Sequence, residues 1–450
     1  MEPCELEVIQ SLLLQQEEEP SPIKRVALAP PDNSMVVCYI KVLFLYKRLD
    51  PLLLLPALRN TLSHYPIFFG RLERSLCNGR WTALLNNAGV RFVHARTNAT
   101  ILSSFNSLSS TENLLNANVI PCNLFCDEGL DLFSSESPVL AVQVTEFQDG
   151  AVAVAVCAHH IVGDGPALFR FIHQWSDNAA ALLHQPSAKQ VAVSVCHERE
   201  LLRPCWTTPR LEHPEYSLKT QTLLEKVQRS PPTSVKSFHF RRDDLARLKA
   251  AASTSCNAGE FVSTNDALTS LFFQVITSAR KIENKDTTVK LGYAVDGRPR
   301  LPFLPEEYCG NVTFFGLVRT DVTQLLAMSL GECSKLIRKT TDSMTAEYLQ
   351  DALAWIEAQE DTSLIDVRRS GNDIAVSSWV RAQLYDATFG QGQQPFYAGL
   401  PPLDVPDGQL FFVDAPEGDG VLAVLWLQQD HMETIEHDSY FRSFCPLHHS

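Results

Sequence analysis

His159-His160-Ile161-Val162-Gly163-Asp164-Gly165 closes an apolar run over residues 151–158 and opens a helical pattern carrying Leu168, Phe169, Phe171 and Ile172. A histidine at the end of such a strand is held rigidly, and its ring can face a cavity instead of bulk water. The Gly163-Asp164-Gly165 turn lets the backbone bend sharply, and Asp164 can anchor the loop beyond His160. A fixed imidazole within reach of a substrate proton is what general-base chemistry requires. The plainer reading is a strand-end histidine with a satisfied hydrogen bond and an aspartate capping the next helix.

Outward from that stretch, strand and helix patterns alternate. Residues 35–46 are a β-like run, 52–62 have helical spacing, and 66–72 lead back into a strand. Residues 139–144 and 150–157 read as paired strands about a tight turn at Asp149-Gly150, and the helix after the motif ends near Leu183. Residues 202–232 hold five prolines and an exposed-looking Glu212-His213-Pro214-Glu215, which predicts a linker running over the surface. Beyond it, 235–240 is a strand, and Asp243 a candidate N-cap for a helix through Ala252. Residues 265–282 form a long apolar helix, 289–295 a buried strand, and 330–359 are mostly helical. Residues 374–380 are a strand, and 409–413 pair with 421–427 as a hairpin. The chain divides into an α/β half at 1–201, a crossover at 202–232 and a second α/β half at 233–450.

His160-x-x-x-Asp164-Gly165 resembles the HxxxDG motif of the BAHD acyltransferases, which move acyl groups from coenzyme A thioesters to alcohols or amines. The doubled histidine also resembles the HHxxxDG of peptide-synthetase condensation domains, in the same superfamily. Further segments follow in the family's order. Ser263 to Leu268 resembles STNDAL, Ala294 to Leu301 VDxRxRL, Tyr308 to Asn311 YFGN, and Ser378 to Arg381 SWxR. Thr388-Phe389-Gly390-Gln391-Gly392 stands where the family has DFGWG, with Thr for Asp and Gln for Trp. That loop is thought structural in the family, so the departure bears on local packing and coenzyme binding more than on chemistry. Gly390-Gln391-Gly392 lacks the third glycine and the context of a nucleotide loop.

The resemblance implies two similar chloramphenicol-acetyltransferase-like domains, each a mixed sheet flanked by helices, with a solvent tunnel between them. It implies an acyltransferase with acyl-CoA as co-substrate and no permanently bound cofactor or metal. The acyl group is other than aminoacyl, and goes to a hydroxyl, or an amine, of a small-molecule acceptor. His160 is then the general base. Asp164 points away from the tunnel and pairs with Arg298, while His159 is a packed or capping neighbour. Arg381 falls where hydroxycinnamoyl transferases for shikimate or quinate place an arginine on the acceptor carboxylate. Ile40, Val42 and Phe44 stand in the early strand, where those transferases carry small polar residues. Two other classes remain: a condensation-type domain making amides from carrier-protein thioesters, and a non-catalytic binding relative. The VDxRxRL-like segment and retention of both His160 and Asp164 weigh against them.

Composition sets the outer limits. With 450 residues the chain suits two domains, and 45% hydrophobic with 20% charged residues is a soluble globular composition. No apolar run is long enough to span a membrane, and the acidic start lacks a secretory pattern. Twelve scattered cysteines read as reduced cytoplasmic thiols, and the Cys122/Cys126 pair lacks the partners of a zinc site. The sequons at Asn98 and Asn311 are then chance matches. A net charge of −14 argues against nucleic acid and acidic membranes, and a monomer is expected. An anionic coenzyme would need a local basic patch. Lys236, Arg241, Arg242, Arg247 and Lys249 form one candidate for its phosphates, with a solvated face as the plainer account.

Overall fold

Val152–His159 is buried along its whole length. Both faces of this strand are covered, which explains why its sequence is apolar without alternation. A computed structural model of the chain describes residues 5–17, 23–102, 123–125, 129–184, 194–219, 233–367, 371–401, 403 and 405–446. Cys122 and Cys126 lie outside these residues. Among the described residues no cluster of metal-binding side chains occurs, and no helix is long and apolar enough to cross a membrane.

Two six-stranded mixed sheets organise the chain. The first has the order Leu6–Leu14, Val90–Thr97, Leu140–Phe147, Val152–His159, Tyr39–Tyr46, Tyr397–Gly399. The second has the order Thr233–Phe240, Val421–Gln428, Gln409–Asp414, Ile374–Ser378, Thr288–Asp296, Thr313–Asp321. The hairpin expected about Asp149-Gly150 forms, with Gly150 at φ 84°, a conformation that costs a residue without Cβ little. The hairpin of Gln409–Asp414 with Val421–Gln428 forms as well. Helices Leu54–Leu62 and Gly165–His184 pack on each other beside the first sheet. Thr264–Ala279 is buried almost throughout, as its apolar sequence predicts. Ser263 caps it by accepting from the Asp266 N–H, and the Asp266 carboxylate accepts from the Ser263 N–H.

Several boundaries differ from the sequence reading. The early strand begins at Tyr39, because residues 30–34 form a short buried helix opened by Pro30 and Pro31. Asp243 is not the cap of Arg242–Ser253. Arg241 holds that position, and Asp244 reaches back to its N–H at 3.0 Å. The 233–450 half does not keep to its own sheet: Tyr397–Gly399 pairs with Tyr39–Tyr46 and edges the first sheet. A three-residue strand carries too little pattern to announce its partner.

The crossover is also more than a surface linker. His213 and Glu215 are buried, and His213 sits between Glu215 Oε1 at 2.9 Å and Asp351 Oδ2 at 3.0 Å. Asp351 also accepts from Trp206 Nε1 and from the Arg210 and Leu211 N–H groups, while Tyr348 donates to Glu215. A run of polar residues reads as exposed until its partners, more than a hundred positions away, are brought to it. Burial disfavours the His213 imidazolium, but the hydrogen bonds to Glu215 and Asp351 outweigh it and raise the pKa above the ordinary histidine value. Burial likewise opposes the Asp351 carboxylate, yet its N–H donors and His213 hold its pKa down to about 2. Folded His213 thus binds its proton more tightly than the unfolded chain does. Its contribution is full below about pH 6.5 and is lost as pH rises through the raised value. His213→Gln should cost about 3–5 kcal/mol at pH 6. The deficit in thermal unfolding should shrink at alkaline pH. A deficit independent of pH would remove the charged histidine from this account.

Candidate active site

The motif strand ends at His159 and His160 opens the 3-10 turn that follows, so the two rings meet different surroundings. His159 is buried against Tyr39 and Trp81. Its Nδ1 accepts the Ile161 N–H at 3.3 Å, so the other nitrogen carries the proton and donates to Leu132 O at 3.1 Å. Burial brings its pKa down to about 4, which keeps the ring neutral. His159 is a packed, capping residue.

His160 instead lines a cavity of about 1560 Å³ whose walls come from both halves of the chain. Its backbone is pinned by an N–H bond to Cys38 O at 2.8 Å, and its ring Nδ1 lies 3.1 Å from Asn311 Oδ1. The orientation of Asn311 follows from its other partners. Its Nδ2 reaches Asp32 Oδ1 and the His160 carbonyl, each at 2.8 Å, and both are acceptors. Oδ1 is therefore the acceptor toward His160, and Nδ1 of the ring must carry the proton. That leaves Nε2 unprotonated, with no hydrogen bond to a described residue. Burial is the largest influence on His160 and lowers its pKa against the opposing pull of Asp164 and Asn311. The arrangement offers a neutral imidazole with one lone pair, held in one tautomer at the cavity.

Asp32 holds Asn311 in turn. It is fully buried, accepts the Asn311 N–H at 2.9 Å and lies 3.6 Å from Arg199 Nε. Arg199 also donates to Val162 O and stacks over the Tyr308 ring. Neither Asp32 nor Asn311 is among the candidate residues of the sequence, although Asn311 closes the YFGN-like segment, which is the signal that marks it. Asp32 follows two prolines and reads as a turn.

Asp164 is fully buried and points away from His160 into the second half of the chain. Arg298 grips it with both ends of its guanidinium, Nη1 to Oδ2 at 3.0 Å and Nη2 to Oδ1 at 2.9 Å. The carboxylate also accepts the Val312 and Ala167 N–H groups, and Arg298 donates onward to the Gly310 carbonyl. Burial favours the neutral acid, but Arg298 outweighs it and holds the pKa of Asp164 below the usual carboxylate range. Removing either partner leaves a buried charge uncompensated. Asp164→Asn and Arg298→Gln should each cost about 3–5 kcal/mol. The double variant should lose much less than the sum in unfolding experiments. Additive losses would show that the two side chains do not act as a pair.

The other candidates divide. Arg381 lines the cavity at φ 85°, with its N–H and that of Gln383 bonded to the Asp414 carboxylate. Ile40 lines the cavity too, whereas Val42 and Phe44 are fully buried in the core. His173, read as an ordinary helix residue, also lines the cavity and donates from Nε2 to Ala382 O at 2.8 Å. Lys236, Arg241, Arg242 and Lys249 do not line it. Lys236 is bonded to Glu436, Arg242 to the Gly418 carbonyl, and Arg241 lies 3.8 Å from Asp419.

The altered glycine loop packs on the motif helix, outside the cavity. Phe389 is buried against Trp175 at 4.8 Å between rings, and its N–H donates to Ser176 Oγ. Gly390, at φ 73°, has no room for a side chain, since a Cβ would fall 2.3 Å from Ala180 Cα. Gln391, where the family has Trp, makes two hydrogen bonds to the Asp50 backbone. The substituted Gln391 thus ties the loop to the Asp50 turn.

Known proteins agree with this frame. Residues 5–442 match the model described as the Transferase family. Hydroxycinnamoyltransferase 1 of Oryza sativa subsp. japonica is 32% identical over 384 residues, covering 82% of this chain and 82% of its own. Hydroxycinnamoyl-CoA:5-hydroxyanthranilate N-hydroxycinnamoyltransferase of Avena sativa is 32% identical over 383 residues, 82% of this chain and 81% of its own. TRI101 of F. sporotrichioides, whose crystal structure holds coenzyme A and T-2, superposes with a TM-score of 0.78 at 19% identity, covering 93% of this chain and 98% of that one. With its buried Asp164–Arg298 pairing and motifs in order over nearly the whole length, the chain belongs to the BAHD family of acyltransferases, which take acyl-CoA as co-substrate.

Proposed function

We propose that this protein transfers a hydroxycinnamoyl group from its coenzyme A thioester to a small acceptor bearing a carboxylate, with His160 as general base. The observation that carries the reading is the single lone pair of His160 Nε2, presented to a cavity walled by both halves. Donor and acceptor enter that cavity and meet at the ring. As the acceptor oxygen or nitrogen attacks the thioester carbonyl, its proton passes to Nε2. The tetrahedral intermediate collapses, the carbon–sulfur bond breaks, and the imidazolium returns the proton to the departing thiolate. No acyl-enzyme is needed. Acid–base assistance of this kind is worth about 10²–10⁴-fold, in addition to the larger effect of holding both substrates together.

The hydroxycinnamoyl donor is supported by the names of the rice and oat relatives, and an acidic acceptor by the oat enzyme's 5-hydroxyanthranilate. Arg381 at the cavity wall fits a carboxylate partner by its planar fork of donors. The oat relative acylates an amine, so both hydroxyl and amine acceptors stay within the proposal, with the hydroxyl preferred. The basic segment Lys236, Arg241, Arg242 and Lys249 is not favoured as a phosphate site. Lys236 and Arg242 already hold protein acceptors, and the segment lies off the cavity.

Thiol release from p-coumaroyl-CoA with a panel of acidic and neutral acceptors tests this reading directly. His160→Ala should abolish turnover while preserving coenzyme affinity and melting temperature, and a variant turning over like wild type would remove His160 from the chemistry. Because burial lowers the His160 pKa, the acid limb of kcat/KM should lie below about pH 6.5. Asn311→Leu should reduce kcat at least tenfold with a smaller change in KM, since both tautomers then compete for the site. Unchanged kcat in that variant would show that Asn311 does not set the tautomer.

A further inference from the structure

Arg170 stands on the motif helix Gly165–His184, a turn and a half beyond Asp164, and lines the cavity with Phe169, His173 and Gln174. Its Nη1 is shut off from solvent and has no hydrogen-bond partner. The guanidinium makes no hydrogen bond or ion pair with any described residue. Arg170 is half-buried, and the two buried arginines around the site are both compensated. Arg298 holds Asp164, and Arg199 holds Asp32. A cation that has lost part of its hydration and gained no counter-charge is costly by itself, and an anion brought beside it recovers that cost.

We propose that Arg170 is a specificity-determining residue that receives the carboxylate of the acyl acceptor, on the same wall as Arg381. The placement rests on the helix spacing. His173, one turn on from Arg170 on the same face, donates to the carbonyl of Ala382, the residue after Arg381. The helix turn that carries Arg170 therefore lies against the segment that carries Arg381, both residues line the cavity, and Gln174 is held there by the Tyr65 hydroxyl. A carboxylate is the anion this position suits. It is compact, singly charged and planar, and it matches the fork of donors on a guanidinium. The phosphates of coenzyme A carry multiple charges and heavy hydration, and match a solvent-exposed mouth better than a half-buried guanidinium.

This inference rests on the acyl-transfer reading and is tested apart from it. Wild type, Arg170→Gln and Arg170→Lys are compared with p-coumaroyl-CoA and two acceptors, 5-hydroxyanthranilate and its carboxamide. In parallel, calorimetry measures the binding of benzoate and benzamide, which needs no turnover. Arg170→Gln should weaken benzoate, and raise KM for the acid acceptor, by about ten- to a hundredfold. Benzamide and the carboxamide should be little changed, and Arg170→Lys should recover part of the loss. Equal effects on acid and amide, or benzoate affinity unchanged by Arg170→Gln, would overturn the proposal. A rise in KM confined to p-coumaroyl-CoA, and absent with its 3′-dephospho analogue, would reassign Arg170 to the coenzyme and overturn it as well. If wild type releases no thiol from any acyl-CoA, the acyl-transfer reading fails, while the benzoate comparison still decides whether Arg170 holds a carboxylate.

Discussion

A buried carboxylate must be matched, and Asp164 is matched by a residue from the other half of the chain. The pair with Arg298 sits at zero exposure on the acid side, so a shift that parts the two side chains leaves a buried charge without its counter-charge. The position of the motif turn is thereby referred to the Gly297–Leu301 turn and to the Tyr308–Asn311 segment, which Arg298 also grips. His160 inherits its place from this clamp. Asn311, the last residue of the gripped segment, bonds both the ring and the carbonyl of His160. One ion pair thus closes the interface and sets the histidine.

The same economy explains how a chain of net charge −14 handles anionic substrates. Overall charge governs long-range attraction, whereas binding depends on the few groups that face the ligand. The cavity wall includes Arg170, Arg381 and Arg298, but Arg298 is neutralised by Asp164, and Arg199, off the wall, lies against Asp32. The paired arginines shape the site. The two without a carboxylate partner among the described residues are left with charge to offer. A residue type alone does not separate these duties, and each partner lies far away in sequence.

Much of the architecture was legible because apolar periodicity is strong in long elements. The strand Val152–His159, the helix Gly165–His184 and the helix Thr264–Ala279 were each visible from their apolar patterns. Short or polar pieces were not. His213 and Glu215 looked solvated because their burial depends on Asp351 and Tyr348. Tyr397–Gly399 joined the other sheet for reasons its own three residues do not contain. The Asp164–Arg298 pairing was expected from the motif resemblance, whereas the Asn311–Asp32 connection was not.

The sequence by itself determined that strand and helix alternate in two α/β halves, that a histidine ends a covered strand, and that the motif order matches an acyltransferase family. These are properties of local pattern, set by side-chain periodicity and turn chemistry within a few residues. Only the tertiary structure decided which nitrogen of His160 is free, which arginines are spent on internal carboxylates, and which face the cavity without a counter-charge among the described residues. Those outcomes depend on distances between groups remote along the chain, and hydrogen-bond direction and charge compensation exist only once such groups are brought together.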